Sequence, residues 1–92
     1  MASFKNLQIK VHGRVQGVGF RYFAKCQAEK LQIKGFVQNQ TDGSVYLEVE
    51  QESAVLDKFV TWCKKGSPWS KISNIDVKTG ELKNFSKFFI EV

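Results

Sequence analysis

Arginine is nearly missing from this 92-residue chain: there are two, against 12 lysines, and both fall in residues 13–21, GRVQGVGFR. Histidine and proline occur once each and cysteine twice. A hydrolytic metal centre needs at least three good ligands, and a lone His12 with no carboxylate cluster nearby excludes one. Cysteine-phosphatase chemistry needs a thiolate five residues ahead of an arginine. Cys26 lies after Arg21, and Trp69 stands six positions beyond Cys63, so that chemistry is excluded too. No serine has a visible histidine partner, and His12 reads as a solvent-facing strand residue. Asp42 reads as part of a turn, so no general-base carboxylate is evident. No window approaches 18 apolar residues, and the start, MASFKNLQIK, lacks the apolar core of a signal peptide. A cytoplasmic location with no membrane contact is the expectation. Cys26 and Cys63, both in helical patterns, are then expected to be reduced small apolar groups rather than a bridge.

What is present is the composition of a soluble globule, 42% hydrophobic and 25% charged. At this length the expectation is one domain, residues 1–92, with enough core to fold without staples. The net charge of +5 favours anionic partners through its long-range field. The lysines are scattered, however, apart from Lys64-Lys65, and read mainly as a solvated basic surface.

Apolar periodicity sets the elements. Leu7, Ile9 and Val11 alternate with polar residues, as a half-buried strand does. Phe20, Phe23, Ala24, Ala28 and Leu31 recur at helical spacing. GFVQN from Gly35 reads as a second strand. NQTDGS is a turn signal, and Val45, Leu47 and Val49 then alternate with Tyr46, Glu48 and Glu50, completing a hairpin. Ser53 is the expected N-cap of a second helix with an apolar stripe of Leu56, Phe59, Val60 and Cys63. Gly66 and Pro68 end that helix. Ile75 and Val77 mark a fourth strand, and Phe88, Ile90 and Val92 a short fifth. The order β-α-β-β-α-β predicts an α+β, ferredoxin-like sandwich: a largely antiparallel sheet with two helices on one face.

The glycine loop joins the first strand to the first helix. Its amides adjoin the unpaired N–H groups of a helix N-terminus, where an anion is favoured. Gly17 and Gly19 permit the backbone to turn successive N–H groups inward as a nest. Arg21, in the first helical turn, opposes the helix dipole, and a local rule broken there points to function. Its guanidinium suits a two-pronged grip on phosphate oxygens. The spacing fits neither the P-loop nor the dinucleotide fingerprint, so a phosphate-sized anion is the better match.

These residues also carry a resemblance. G-x-V-Q-G-V-x-F-R is met at residues 13–21, and G-[FW]-V-x-N-x-x-[DN]-G from Gly35 to Gly43. With FVTWCKKGSP further on, essentially the whole chain resembles the acylphosphatase family. Ser67 and Trp69 depart from it, standing where the family often has proline and a small residue. The resemblance implies hydrolysis of acyl phosphates to a carboxylate and inorganic phosphate. It implies a phosphate held by the backbone of Val15, Gln16, Gly17, Val18, Gly19 and Phe20 and by Arg21, with Asn39 positioning the attacking water. Inorganic phosphate, as product, is the expected competitive inhibitor. No metal, cofactor or nucleic-acid partner is expected, and the chain is expected to act as a monomer. The side chains of Gln16 and Val18 are expected to matter less than their amides, and Arg14 to be exposed or braced against the sheet.

The chemistry agrees with the resemblance. Phosphoryl transfer passes through a loose transition state that needs position and charge stabilisation more than covalent help. The leaving carboxylate, of pKa about 4, needs no general acid. An RNA-binding reading rests on KGFVQN, a loose match to an RNA-recognition strand. It is weakened because strands one and three show only Tyr46 on the solvent face.

Overall fold

Strand alternation and helical periodicity resolve into seven elements in a computed structural model that describes residues 3–91. They are β1 (Phe4–Arg14), α1 (Phe20–Lys30), β2 (Lys34–Asn39), β3 (Val45–Glu52), α2 (Ser53–Lys65), β4 (Lys71–Gly80) and β5 (Phe88–Glu91). The expected last strand residue, Val92, lies outside the described residues. The sheet order is β4-β1-β3-β2-β5. β1 runs antiparallel to β3 and β4, β2 antiparallel to β3, and β5 parallel to β2. This is the ferredoxin-like sandwich with a fifth strand at one edge.

The inward parity of the strands makes the core. Ile9, Val11, Val37, Val45, Leu47 and Val49 are all buried. Against them pack Phe20, Ala24 and Ala28 of α1 and Leu56, Phe59 and Cys63 of α2. Trp62 joins the two helices, its ring 5.3 Å from Phe20 and 6.0 Å from Phe59. Each fully buried phenylalanine of this kind contributes about 1.5–3 kcal/mol of apolar transfer.

Several local expectations are corrected. The first strand, read from the alternation of Leu7, Ile9 and Val11, runs on through Gly13 and Arg14, which pair with Ile72 and Lys71 after a register shift at His12/Gly13. Glu52, in an extended conformation, is the N-cap of α2. Ser53 is already helical, because β3 runs directly into the helix with no loop to hold a serine cap, and no side chain caps this end. Val77 is 42% exposed, since β4 is an edge strand that only partly underlies α2. Cys63 is buried and Cys26 exposed, and they form no bridge.

Glu48 and Glu50 are buried, although strand alternation places them on the open face. The segment 81–87 crosses that face and covers them. The Lys83 and Phe85 amides donate to Glu50 at 2.6 and 3.1 Å, and Lys83 Nζ bonds Glu48. Asn6 Nδ2 donates to both carboxylates, at 3.0 and 2.8 Å. Tyr46 is not alone there: Phe36 packs 5.8 Å from each of Tyr46, Phe85 and Phe89.

Topology then decides what meets at one end of the sheet. β1 and β2 are each antiparallel to β3 and therefore parallel to each other. The loop after β1, the start of α1 and the last residue of β2 consequently share one end. The parallel β5 brings Ile90 to the same place.

Candidate active site

The loop between β1 and α1 is held at both ends by buried side chains, Val15 before it and Phe20 after it. Between them the backbone is turned by two left-handed glycines, Gly17 at φ 74° and Gly19 at φ 76°. A side chain at Gly17 would be strained by that φ alone, with open space around it. Gly19 is also the N-cap of α1. No side chain caps this helix, and its first turn carries no acidic residue. The first-turn N–H groups have no intrahelical partner. The amides from Gln16 to Gly19 make no hydrogen bond of normal geometry to any described residue. Main-chain donors gathered at a helix N-terminus favour an anion.

Arg21, half-buried in the first turn of α1, and Asn39, at the end of β2, line one cavity of about 220 Å³ with Val15, Gly17, Gly19 and Phe20. The structure thus brings together most of the residues singled out from the sequence. Arg21 forms no ion pair with a described Asp or Glu side chain, so its charge is not spent within the fold. Asn39 Oδ1 is buried and accepts no hydrogen bond from the described residues. Asn6 Oδ1, on the covered face of the sheet, is likewise buried without a donor, so what sets Asn39 apart is its place in the cavity lining beside Arg21. Two further residues line the cavity that were not read as site residues: Tyr22, one step along α1, and Ile90, read only as part of the fifth strand. Both are exposed and offer it apolar surface. Tyr22 lies off the apolar stripe of α1, so helical spacing gives no signal for it; Ile90 arrives through the β2–β5 pairing.

Two predicted loop residues face elsewhere. Val18 packs against the core rather than lining this cavity, and its carbonyl oxygen accepts the Ser67 hydroxyl at 3.2 Å. The Gln16 side chain does not line it either, its Nε2 donating to the carbonyl oxygens of Gln40 at 2.7 Å and Ser44 at 2.8 Å. Arg14 is exposed at the end of β1, where it borders a second depression with Gly17, Val18, Gly19 and Trp69.

The turn after Asn39 is internally braced. The Ser44 amide donates to Asp42 at 3.0 Å, and Lys10 pairs with Asp42 at 3.0 Å. The bonds from Ser44, followed by Lys10, hold the Asp42 carboxyl well below the usual carboxylate range. Asp42 is thus a turn anchor and not a base. His12 lies on the open face against Asp76 at 3.1 Å and is not among the residues that line the cavity. Among the described residues no three His, Cys, Asp or Glu side chains cluster to hold a metal. Burial pushes the Cys63 thiol up, which leaves it inert.

Fold and site together define a small α+β domain in which a glycine-turned loop, Arg21 and Asn39 line one cavity. The acylphosphatase family profile matches residues 7–90. An acylphosphatase of Archaeoglobus fulgidus is 45% identical over 82 residues, 89% of this chain and 92% of that protein. One from Bacillus licheniformis is 45% identical over 84 residues, 90% of this chain and 93% of the other. The crystal structure of acylphosphatase from Bacillus subtilis superposes with a TM-score of 0.93 at 40% identity, covering 96% of this chain and 99% of that one. The chain belongs to the acylphosphatase family, and it is a hydrolase acting on acyl phosphates.

Proposed function

We propose that this protein hydrolyses small acyl phosphates by direct attack of an oriented water, without metal, cofactor or covalent intermediate. The phosphoryl oxygens lie against the amides of residues 15–20 and the Arg21 guanidinium. Asn39 accepts a hydrogen bond from the attacking water through Oδ1 and so fixes its approach. The water oxygen bonds to phosphorus while the bond from phosphorus to the acyl oxygen breaks, its electron pair leaving with the carboxylate. The proton of the water passes to a phosphoryl oxygen, giving carboxylate and dihydrogen phosphate.

The observation that carries this reading is that Asn39 and Arg21, from separate elements, line one cavity together with the glycines of the β1–α1 loop. A neutral amide both donates and accepts, as orienting a water at neutral pH requires. Positioning of that kind supplies several kcal/mol of barrier lowering. Charge spread over the peripheral oxygens is met by fixed donors, which need no reorganisation as the reaction proceeds. Orthophosphate, as product, competes for the same donors. Tyr22 and Ile90 add apolar surface to the cavity lining, which suits tolerance of varied small acyl groups. The protein works as a cytoplasmic monomer and needs no nucleic-acid partner.

Asn39→Ala tests the reading. With benzoyl phosphate and excess chelator, kcat falls about 10²-fold or more, while inhibition by orthophosphate stays within about twofold of the parent, since the cradle is intact. Unchanged turnover removes Asn39 from the mechanism.

A further inference from the structure

Gln16 sits in the cradle by its backbone, yet its side chain does something else. The single nitrogen Nε2 gives one hydrogen to the carbonyl oxygen of Gln40, at 2.7 Å, and the other to that of Ser44, at 2.8 Å. Those carbonyls belong to the two ends of the turn that follows Asn39. The turn is closed by Gln40 N–H to Ser44 O at 2.8 Å and Gly43 N–H to Gln40 O at 3.2 Å. The last ladder pair before it is Asn39 with Val45. Asn39 is thus bracketed by the sheet on one side and, one residue on, by a carbonyl tied to Gln16. Ser44 is buried, so the clamp is shielded from water on that side.

We infer that the Gln16 side chain is a positioning residue that sets Asn39 relative to the phosphate cradle. The inference rests on the proposed role of Asn39 in holding the attacking water. The chemistry requires such a link. The cradle lies on one segment and the water-orienting amide on another, 23 positions later in sequence. In-line attack tolerates little error in their separation, and a misplacement of about 1 Å can cost about 10²-fold in rate. Among the described residues, Gln16 is the loop residue whose side chain bonds the Asn39 turn. Its backbone belongs to the β1–α1 loop and its amide head bonds the turn, so one residue spans both. A glutamine is suited to this: one planar NH₂ offers two hydrogens about 120° apart to two carbonyl acceptors. A carboxylate offers none, and a thioether of similar shape offers none.

A double-mutant cycle on the full chain distinguishes this role from simple bracing of the fold. Gln16→Met keeps length and removes both hydrogens; Gln16→Asn keeps the amide but is one methylene too short, and serves if the methionine variant folds poorly. Either variant lowers kcat for benzoyl phosphate about 10- to 10²-fold, with the orthophosphate inhibition constant within about twofold of the parent. In an Asn39→Ala background the same change costs less than about twofold, because there is no longer an oriented amide to misplace. An equal loss in both backgrounds overturns the inference, as does a rise in the inhibition constant matching the fall in kcat. Full turnover by Asn39→Ala alone overturns instead the role of Asn39 on which the inference rests.

Discussion

Ser67 donates its hydroxyl to the carbonyl oxygen of Val18 at 3.2 Å, joining the exit of α2 to the loop between β1 and α1 across 49 residues of sequence. Ser67 is buried, and its own carbonyl accepts the Ser70 hydroxyl at 2.8 Å. Ser67 thus fastens the exit of α2 to the loop between β1 and α1.

Ser67→Ala removes that fastening and leaves the Val18 carbonyl without its donor. The expected cost is about 1 kcal/mol, seen as a fall in Tm of about 4–8 °C for a domain of this size. Stabilisation by added orthophosphate should shrink as well, because the amides it binds are less rigidly held. Thermal unfolding with and without phosphate checks both. A Tm within a degree of the parent contradicts the assigned contact.

Arg21→Gln separates charge from position. The guanidinium forms no ion pair with a described side-chain carboxylate, so its removal leaves no buried partner stranded. Loss of charge-assisted bonds to phosphate is expected to weaken orthophosphate binding about 10- to 10²-fold. Turnover falls too, since the charge acts on ground state and transition state together. Calorimetric titration with orthophosphate measures the first effect. An affinity equal to the parent's speaks against Arg21 as a phosphate ligand.

Acid stability should depend on the covered carboxylates. Burial alone raises Glu48 and Glu50, but the bonds from Lys83 and Asn6 outweigh it, with Tyr46 adding on Glu48 and the Phe85 amide on Glu50. Both end below the ordinary value. A carboxyl depressed on folding stabilises the native state above its unfolded pKa, about 4.3, and loses that contribution as pH falls through the folded value. Urea midpoints should therefore drop below about pH 4.3, and drop less in Glu50→Gln, which has no proton to take up. Parallel pH curves for parent and variant contradict this.

What could be read in the residues differs by the range of the interaction. Alternation at Leu7, Ile9 and Val11 and the glycines around Gly17 are local, and they carried the strand, the loop and the helix start. Asn39 and Arg21 needed the family motifs to be paired, since 18 residues separate them in sequence. The Gln16 clamp was out of reach because its partners are carbonyls, which any residue supplies, brought near by the register of β2 on β3. Glu48 and Glu50 looked exposed for a similar reason. Strand parity assigns a face, but only the path of residues 81–87 covers it. Ser53 failed as a cap because capping propensity assumes a loop before the helix, and β3 leaves none.

The most direct test is a crystal of the protein soaked in orthophosphate. The account predicts one ion within hydrogen-bond distance of the amides between Gln16 and Phe20 and of the Arg21 guanidinium, with a water held between it and Asn39 Oδ1. An ion bound elsewhere on the molecule, with this cradle unchanged, would contradict it.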